Sequence, residues 1–86
     1  MPIISVFFGI VIRIYHADHN PPHFHATYGE FEAVFEIQSG KILSGKLPPQ
    51  GQKLVEQWRK LNISNLNAAW FSASTMKTPK RIKGLE

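Results

Sequence analysis

The apolar positions of this chain change their spacing partway along. In the first half they recur at every second residue, and in the second half at every third or fourth. Ile10, Ile12 and Ile14 alternate with Val11, Arg13 and Tyr15, the period of a half-buried strand. The most apolar run, IISVFFGIVI at 3–12, reads as two strands with Gly9 near their junction. HFHATY at 23–28 and EFEAVFEI at 30–37 alternate as well, and Gly29-Glu30 between them suits a two-residue hairpin loop with glycine first. That loop sets a register. Tyr28 lies opposite Phe31, Ala26 opposite Ala33 and Phe24 opposite Phe35, all apolar. The other face pairs Thr27 with Glu32, His25 with Val34 and His23 with Glu36. A slip of one residue would scramble this sorting, because strand side chains alternate strictly.

SGK at 39–41 is a turn, and KILSGKL then gives a short further strand or an extended arm. Pro48 and Pro49 stop extended pairing and suit the first turn of a helix. Leu54, Val55, Trp58 and Leu61 form the apolar stripe of that helix. Asn62 and Ser64 mark a break or a new N-cap. Ile63, Leu66, Trp70 and Ala73 make a second stripe, and Pro79 ends regular structure. Strands followed by helices predict an α+β fold: a small N-terminal antiparallel sheet of hairpins packed against two C-terminal helices. The expected organisation is a single domain over 1–76 with a basic C-terminal tail over 77–86.

Composition narrows the chemistry. Eighty-six residues make one small domain that must pack efficiently. The absence of cysteine removes disulfides, thiolate metal sites and cysteine nucleophiles, in keeping with a reducing cytoplasm. The apolar run at 3–12 is too short for a membrane span. No basic residue precedes it and no small-residue cleavage site follows, so neither a signal peptide nor a membrane association is expected. Of the ten basic residues, Lys77, Lys80, Arg81 and Lys83 fall in the last ten positions. Such a tail can touch phosphate backbones or an acidic partner protein, while the plainer expectation is a solvated, mobile terminus.

The segment DHNPPHFH at 18–25 holds three of the four histidines around a double proline. The loop 17–22 joins a strand ending near His16 to one starting near His23. Its prolines narrow the options of the chain, which serves a site and a small fold equally. His23 and His25 are two apart on a strand and share a face, with Glu36 across from His23 and with Asp18 and His19 on the adjoining loop. Three readings stay open. The histidines decorate a polar sheet face while Asp18 caps a turn. They do acid/base work or contact nucleic acid near neutral pH. Or two imidazoles and a carboxylate hold zinc or another transition metal. With no HExxH and no Cys/His spacing, no metal site and no cofactor is assigned. The coherent apolar core predicts a fold that does not need zinc.

The catalytic candidates are therefore His23, His25, His19 and Asp18. The binding candidates are Arg13, Glu36, Lys80, Arg81 and Lys83. Arg13 is expected to pair with a carboxylate on the sheet face. Glu32 and Glu36 resemble an acid/base pair, but such charges commonly keep a hairpin face wet. Trp58 and Trp70 read as packing, and no serine sits in a nucleophile-elbow context.

The run GIVIRIYHADHNPPHFHATYGEFEAVFEI resembles the signature of a bacterial family of small domains of unknown function. Some of its members are named DhiT-like toxins of two-gene toxin–antitoxin modules. The likeness extends from MPIIS through LPP to LVEQW. It rests on the D-H-x-P-P-H-F-H core followed by Y-G-E, that is on Asp18, His19, Pro21, Pro22, His23, Phe24, His25, Tyr28, Gly29 and Glu30. The chain departs from the family pattern at Ala69, where asparagine is common, and at Gly84, where proline is common. The resemblance implies a small cytoplasmic protein paired with an antitoxin-like protein partner, and it carries no catalytic assignment. Two function classes follow. One is a toxin-like component acting on nucleic acid or translation through its histidine-rich face. The other is a non-catalytic protein-binding module that uses that face or the basic tail.

Overall fold

In the computed structural model the described residues are 2–16 and 18–86. Met1 and Ala17 lie outside them, so the first residue of the expected domain and the first of the expected loop are not placed. Five strands, β1 (Ile3–Phe7), β2 (Ile10–Arg13), β3 (His23–Tyr28), β4 (Phe31–Glu36) and β5 (Ile42–Lys46), precede two helices, α1 (Pro49–Leu61) and α2 (Ile63–Ser74). The strands form one antiparallel sheet in chain order. The fold is α+β, as the change of period predicts.

The central hairpin has the register read from its loop. Tyr28 pairs with Phe31, Ala26 with Ala33, Phe24 with Phe35, and His23 with Glu36. Gly29 takes a positive φ of 61°, open to glycine without steric cost. Phe24, Ala26, Ala33 and Phe35 are all buried and face the helices. Phe24 stacks on Phe35 at 5.4 Å and meets Trp58 edge-on at 5.8 Å. Ile10 and Ile12, paired with Tyr28 and Ala26, extend that face toward β1.

Helix α1 starts with Pro49 at its first turn. Its buried arc differs from the predicted stripe. Gly51, Val55, Trp58 and Arg59 are buried, whereas Leu61 is 75% exposed. The helix ends at Leu61, on the flank of the arc, and the backbone N–H of Asn62 closes the turn onto Arg59 O. Gly51 makes room for Tyr28, whose ring would stand 2.8 Å from a β-carbon at that position. Arg59 is a buried cation invisible to hydrophobic periodicity. It donates to Ile37 O at 2.8 Å and Gln38 O at 3.2 Å, and it grips both oxygens of Glu56 at 2.8 and 2.7 Å. The bond from Arg59 holds the Glu56 carboxyl below its ordinary range. The guanidinium thus fastens α1 to the turn after β4.

The tail is held against the core, contrary to the expectation of a mobile terminus. Its basic residues alternate with apolar ones, and those dock: Pro79 and Ile82 are buried, and Leu85 packs on the core. Ile82 N–H donates to Ile4 O, and Trp58 Nε1–H donates to Lys83 O at 2.9 Å. Gly84 lies against Phe7 and Val6. Deleting residues 79–86 is therefore expected to cost stability. Losing the burial of Ile82 removes about 1.5–3 kcal/mol, and Trp58 Nε1–H loses its acceptor. A urea unfolding curve checks this. The double substitution Lys80→Gln/Arg81→Gln, which changes only exposed groups, is expected to leave that curve within about 0.5 kcal/mol of wild type.

Candidate functional site

Strand β3 opens on His23, and the sheet's alternation sends His23 and His25 to the face opposite Phe24. The loop before β3, which contains a cis Asn20–Pro21 peptide, carries Asp18 to the same place. Asp18 is the hub of the site. One of its oxygens, Oδ1, accepts the His19 backbone N–H at 2.9 Å and lies 3.0 Å from His19 Nδ1. The other, Oδ2, lies 2.9 Å from His23 Nε2 and 3.7 Å from His25 Nε2. Partial burial pushes the Asp18 carboxyl upward. The bonds from His19 N–H and the His23 ring, with the charge of both histidines, outweigh that and hold it below the ordinary aspartate range. Capping a turn and serving a polar cluster are thus carried by one side chain through its two oxygens.

The two strand histidines have different freedoms. His23 is buried, its Nδ1 is 2.7 Å from Pro21 O, and its ring stands 5.0 Å from that of Trp70 on α2. It is clamped from both sides. His25 is 19% exposed, yet both its ring nitrogens are covered and make no hydrogen bond. Tyr15 meets its ring edge-on at 4.4 Å, and Glu32 Oε2 lies 3.4 Å from Nδ1. An unbonded pair of imidazole nitrogens beside two carboxylates is uncommon, since buried polar atoms are nearly always satisfied. The cluster faces a cleft of about 360 Å³ lined by Asp18, His19, Pro21, His23, His25, Val34, Leu43 and Ser44.

The candidates read from sequence divide here. Asp18, His23 and His25 come together, with His19 at the rim and 88% exposed. Glu36 is across from His23 in register, but its carboxylate receives the Ser39 hydroxyl instead and belongs to the turn. Among the described residues Arg13 has no carboxylate partner of the kind expected. Its backbone neighbours are Ile3 and His25, and its guanidinium donates to Thr27 Oγ1 at 3.4 Å. Lys80 and Arg81 lie on the docked tail and wall a separate cleft of about 280 Å³ with Asn65, Ala69 and Ser72. Ala69, where the chain departs from the resembled pattern, lies there rather than in the histidine cleft. Lys83 pairs with Glu86 at 3.1 Å.

Three residues join the site without having been singled out for it. Glu32 is diagonal to His25 in the hairpin register, so the register contained the signal. Trp70 reads as a core residue by helical spacing but reaches the His23 ring. Tyr15 lies just beyond the end of β2 but keeps the alternation of Val11 and Arg13, which sends it to the histidine face.

No metal was expected from the sequence. Yet Asp18, His23 and His25 each offer a ligand atom, and these lie within 4.8 Å of one another. The apolar core closes on the other face of the sheet, so a metal at this cluster is not expected to be what holds the fold together. Exhaustive chelation of the purified chain is expected to leave its circular dichroism spectrum unchanged. A cooperative loss of structure, restored by zinc, would contradict this.

A comparison with protein families matches residues 9–71 to a domain of unknown function, DUF4160. No curated protein and no solved structure matches the chain. No helix among the described residues is long and apolar enough to cross a membrane.

Proposed function

The chain belongs to the DUF4160 family of domains of unknown function, and from that premise we propose that the cleft of Asp18, His23 and His25 is its functional centre. In this reading the protein is the toxin-like, DhiT-like component of a two-protein bacterial module. It acts in the cytoplasm on a nucleic acid or a component of translation, and an antitoxin-like protein holds it in check.

The observation that carries the reading is His25, whose two nitrogens are covered yet unbonded beside Asp18 and Glu32. Its bonding capacity is open to a group that enters the cleft. His23 and Asp18 are already committed to each other and to the Pro21 carbonyl. They position; His25 receives. Lys80 and Arg81, exposed on the tail, add positive charge, which draws an anionic target with an attraction that weakens with salt.

The test is induced expression of the chain with and without the neighbouring gene. Growth arrest relieved by the neighbour supports the reading. A chain that is harmless alone but binds the neighbour's product tightly would make it a binding module instead.

A further inference from the structure

We propose that Asp18, His23 and His25 bind one divalent transition-metal ion of the class that imidazole and carboxylate ligands accept. This names the occupant of the proposed functional centre and rests on that reading.

Pro21 O only accepts, so His23 Nδ1, 2.7 Å away, carries a proton and donates. His23 Nε2 faces the Asp18 Oδ2 carboxylate oxygen at 2.9 Å, a separation that either a proton or a metal ion can bridge. A proton on Nε2 would satisfy this pair and leave His25 Nε2 unbonded, 3.7 Å from the same oxygen. A metal ion satisfies all three atoms together.

The spacing agrees. Tetrahedral zinc with bonds of about 2.0–2.1 Å sets its ligand atoms about 3.3 Å apart. The two edges at Asp18 Oδ2, 2.9 and 3.7 Å, bracket that value, and the third, between the two rings, is within 4.8 Å, so the rings would draw in on an ion. Metal-binding histidines turn their other ring nitrogen toward a carbonyl or carboxylate. His23 Nδ1 bonds Pro21 O, and the group nearest His25 Nδ1, which is unbonded here, is Glu32 Oε2 at 3.4 Å. Three protein ligands beside an open cleft leave a coordination position for water or a substrate oxygen, the arrangement of reactive rather than structural sites.

Zinc chloride titrated by calorimetry into the untagged, metal-stripped chain at neutral pH is expected to bind at a single site. Cobalt(II) is expected to give the visible absorption of a nitrogen- and oxygen-ligated ion. Asp18→Asn and His25→Ala should each weaken zinc binding by more than about 100-fold, and Glu32→Gln by about 10-fold, as loss of an orienting partner does. His16→Ala, which removes an exposed histidine outside the cluster, should not change it. Circular dichroism of each variant confirms that it is folded, and the near-isosteric Asp18→Asn guards against a packing effect. Absence of saturable binding, or a folded His25→Ala that binds like wild type, overturns the proposal.

Growth assays separate the two claims. If zinc does not bind but His25→Ala still abolishes growth arrest, the metal falls and the functional centre stands. If zinc binds as expected but the variants arrest growth like wild type, the metal stands and the functional centre falls.

Discussion

Trp58→Ala is expected to cost about 3–5 kcal/mol, the range for deleting a large buried aromatic side chain. A chain of 86 residues has about 4–13 kcal/mol in all, so the variant should sit near the edge of folding. The reason is position. Trp58 is fully buried, with Phe7 at 5.3 Å on the β1 side and Phe24 at 5.8 Å on the β3 side. Its Nε1–H also holds the tail through Lys83 O. One side chain thus joins helix, sheet and C-terminus, and nothing nearby can collapse into its volume without loosening all three. Trp58→Phe keeps most of the ring and gives up the bond to Lys83 O, worth about 1 kcal/mol. Thermal unfolding checks both, at about 4–8 °C per kcal/mol for a domain of this size. Trp58→Ala melting within a few degrees of wild type would mean that the core is not organised around this residue.

If the chain arrests growth as proposed, His25→Ala is expected to do the reverse, abolishing that arrest while changing stability by less than about 1 kcal/mol. Truncating a buried polar residue is costly chiefly when it orphans a partner. His25 has no hydrogen-bond partner to orphan. What it loses are the edge contacts with Tyr15 and His23. A core change such as Phe35→Ala would also silence the protein, but by unfolding it at about 3–5 kcal/mol. Each growth assay therefore needs a melting curve beside it. Activity lost in proportion to stability across both variants would count against a special role for His25.

These contrasts follow the line between what the sequence carries and what it does not. The hairpin was legible because Gly29-Glu30 and the matched apolar pairs constrain one register, and that register put Phe24 inward and His25 outward. The α1 boundary was legible from Pro48-Pro49. The arc of α1 was not. Leu54, Val55, Trp58 and Leu61 define a stripe by hydrophobicity, but Arg59 meets its needs with carbonyls from a distant turn and takes a buried place, while Leu61 at the helix end stays exposed. Contacts that cross the chain leave no periodic trace. The tail misled for a similar reason, since its charges are obvious and the spacing of Pro79, Ile82 and Leu85 among them is easy to overlook.

At the site, the residues were legible and their partners were not. The sequence put His23, His25, Asp18 and His19 in one neighbourhood, because alternation fixes a face and a short loop limits reach. It offered Glu36 as the carboxylate by register. Register sets backbones opposite each other, but the Glu36 side chain has a nearer donor in Ser39. Asp18 and Glu32 take the places beside the histidines instead.

The central claim is that this cleft carries the function. His23 is a poor probe of it because it is buried and clamped, so its loss would confound folding with activity. The most direct measurement is growth arrest by the Asp18→Asn/His25→Ala double variant, expressed to the same soluble level as wild type and shown to melt cooperatively. Complete loss of arrest in that folded protein is the predicted result. A folded double variant that arrests growth as wild type does would contradict the account.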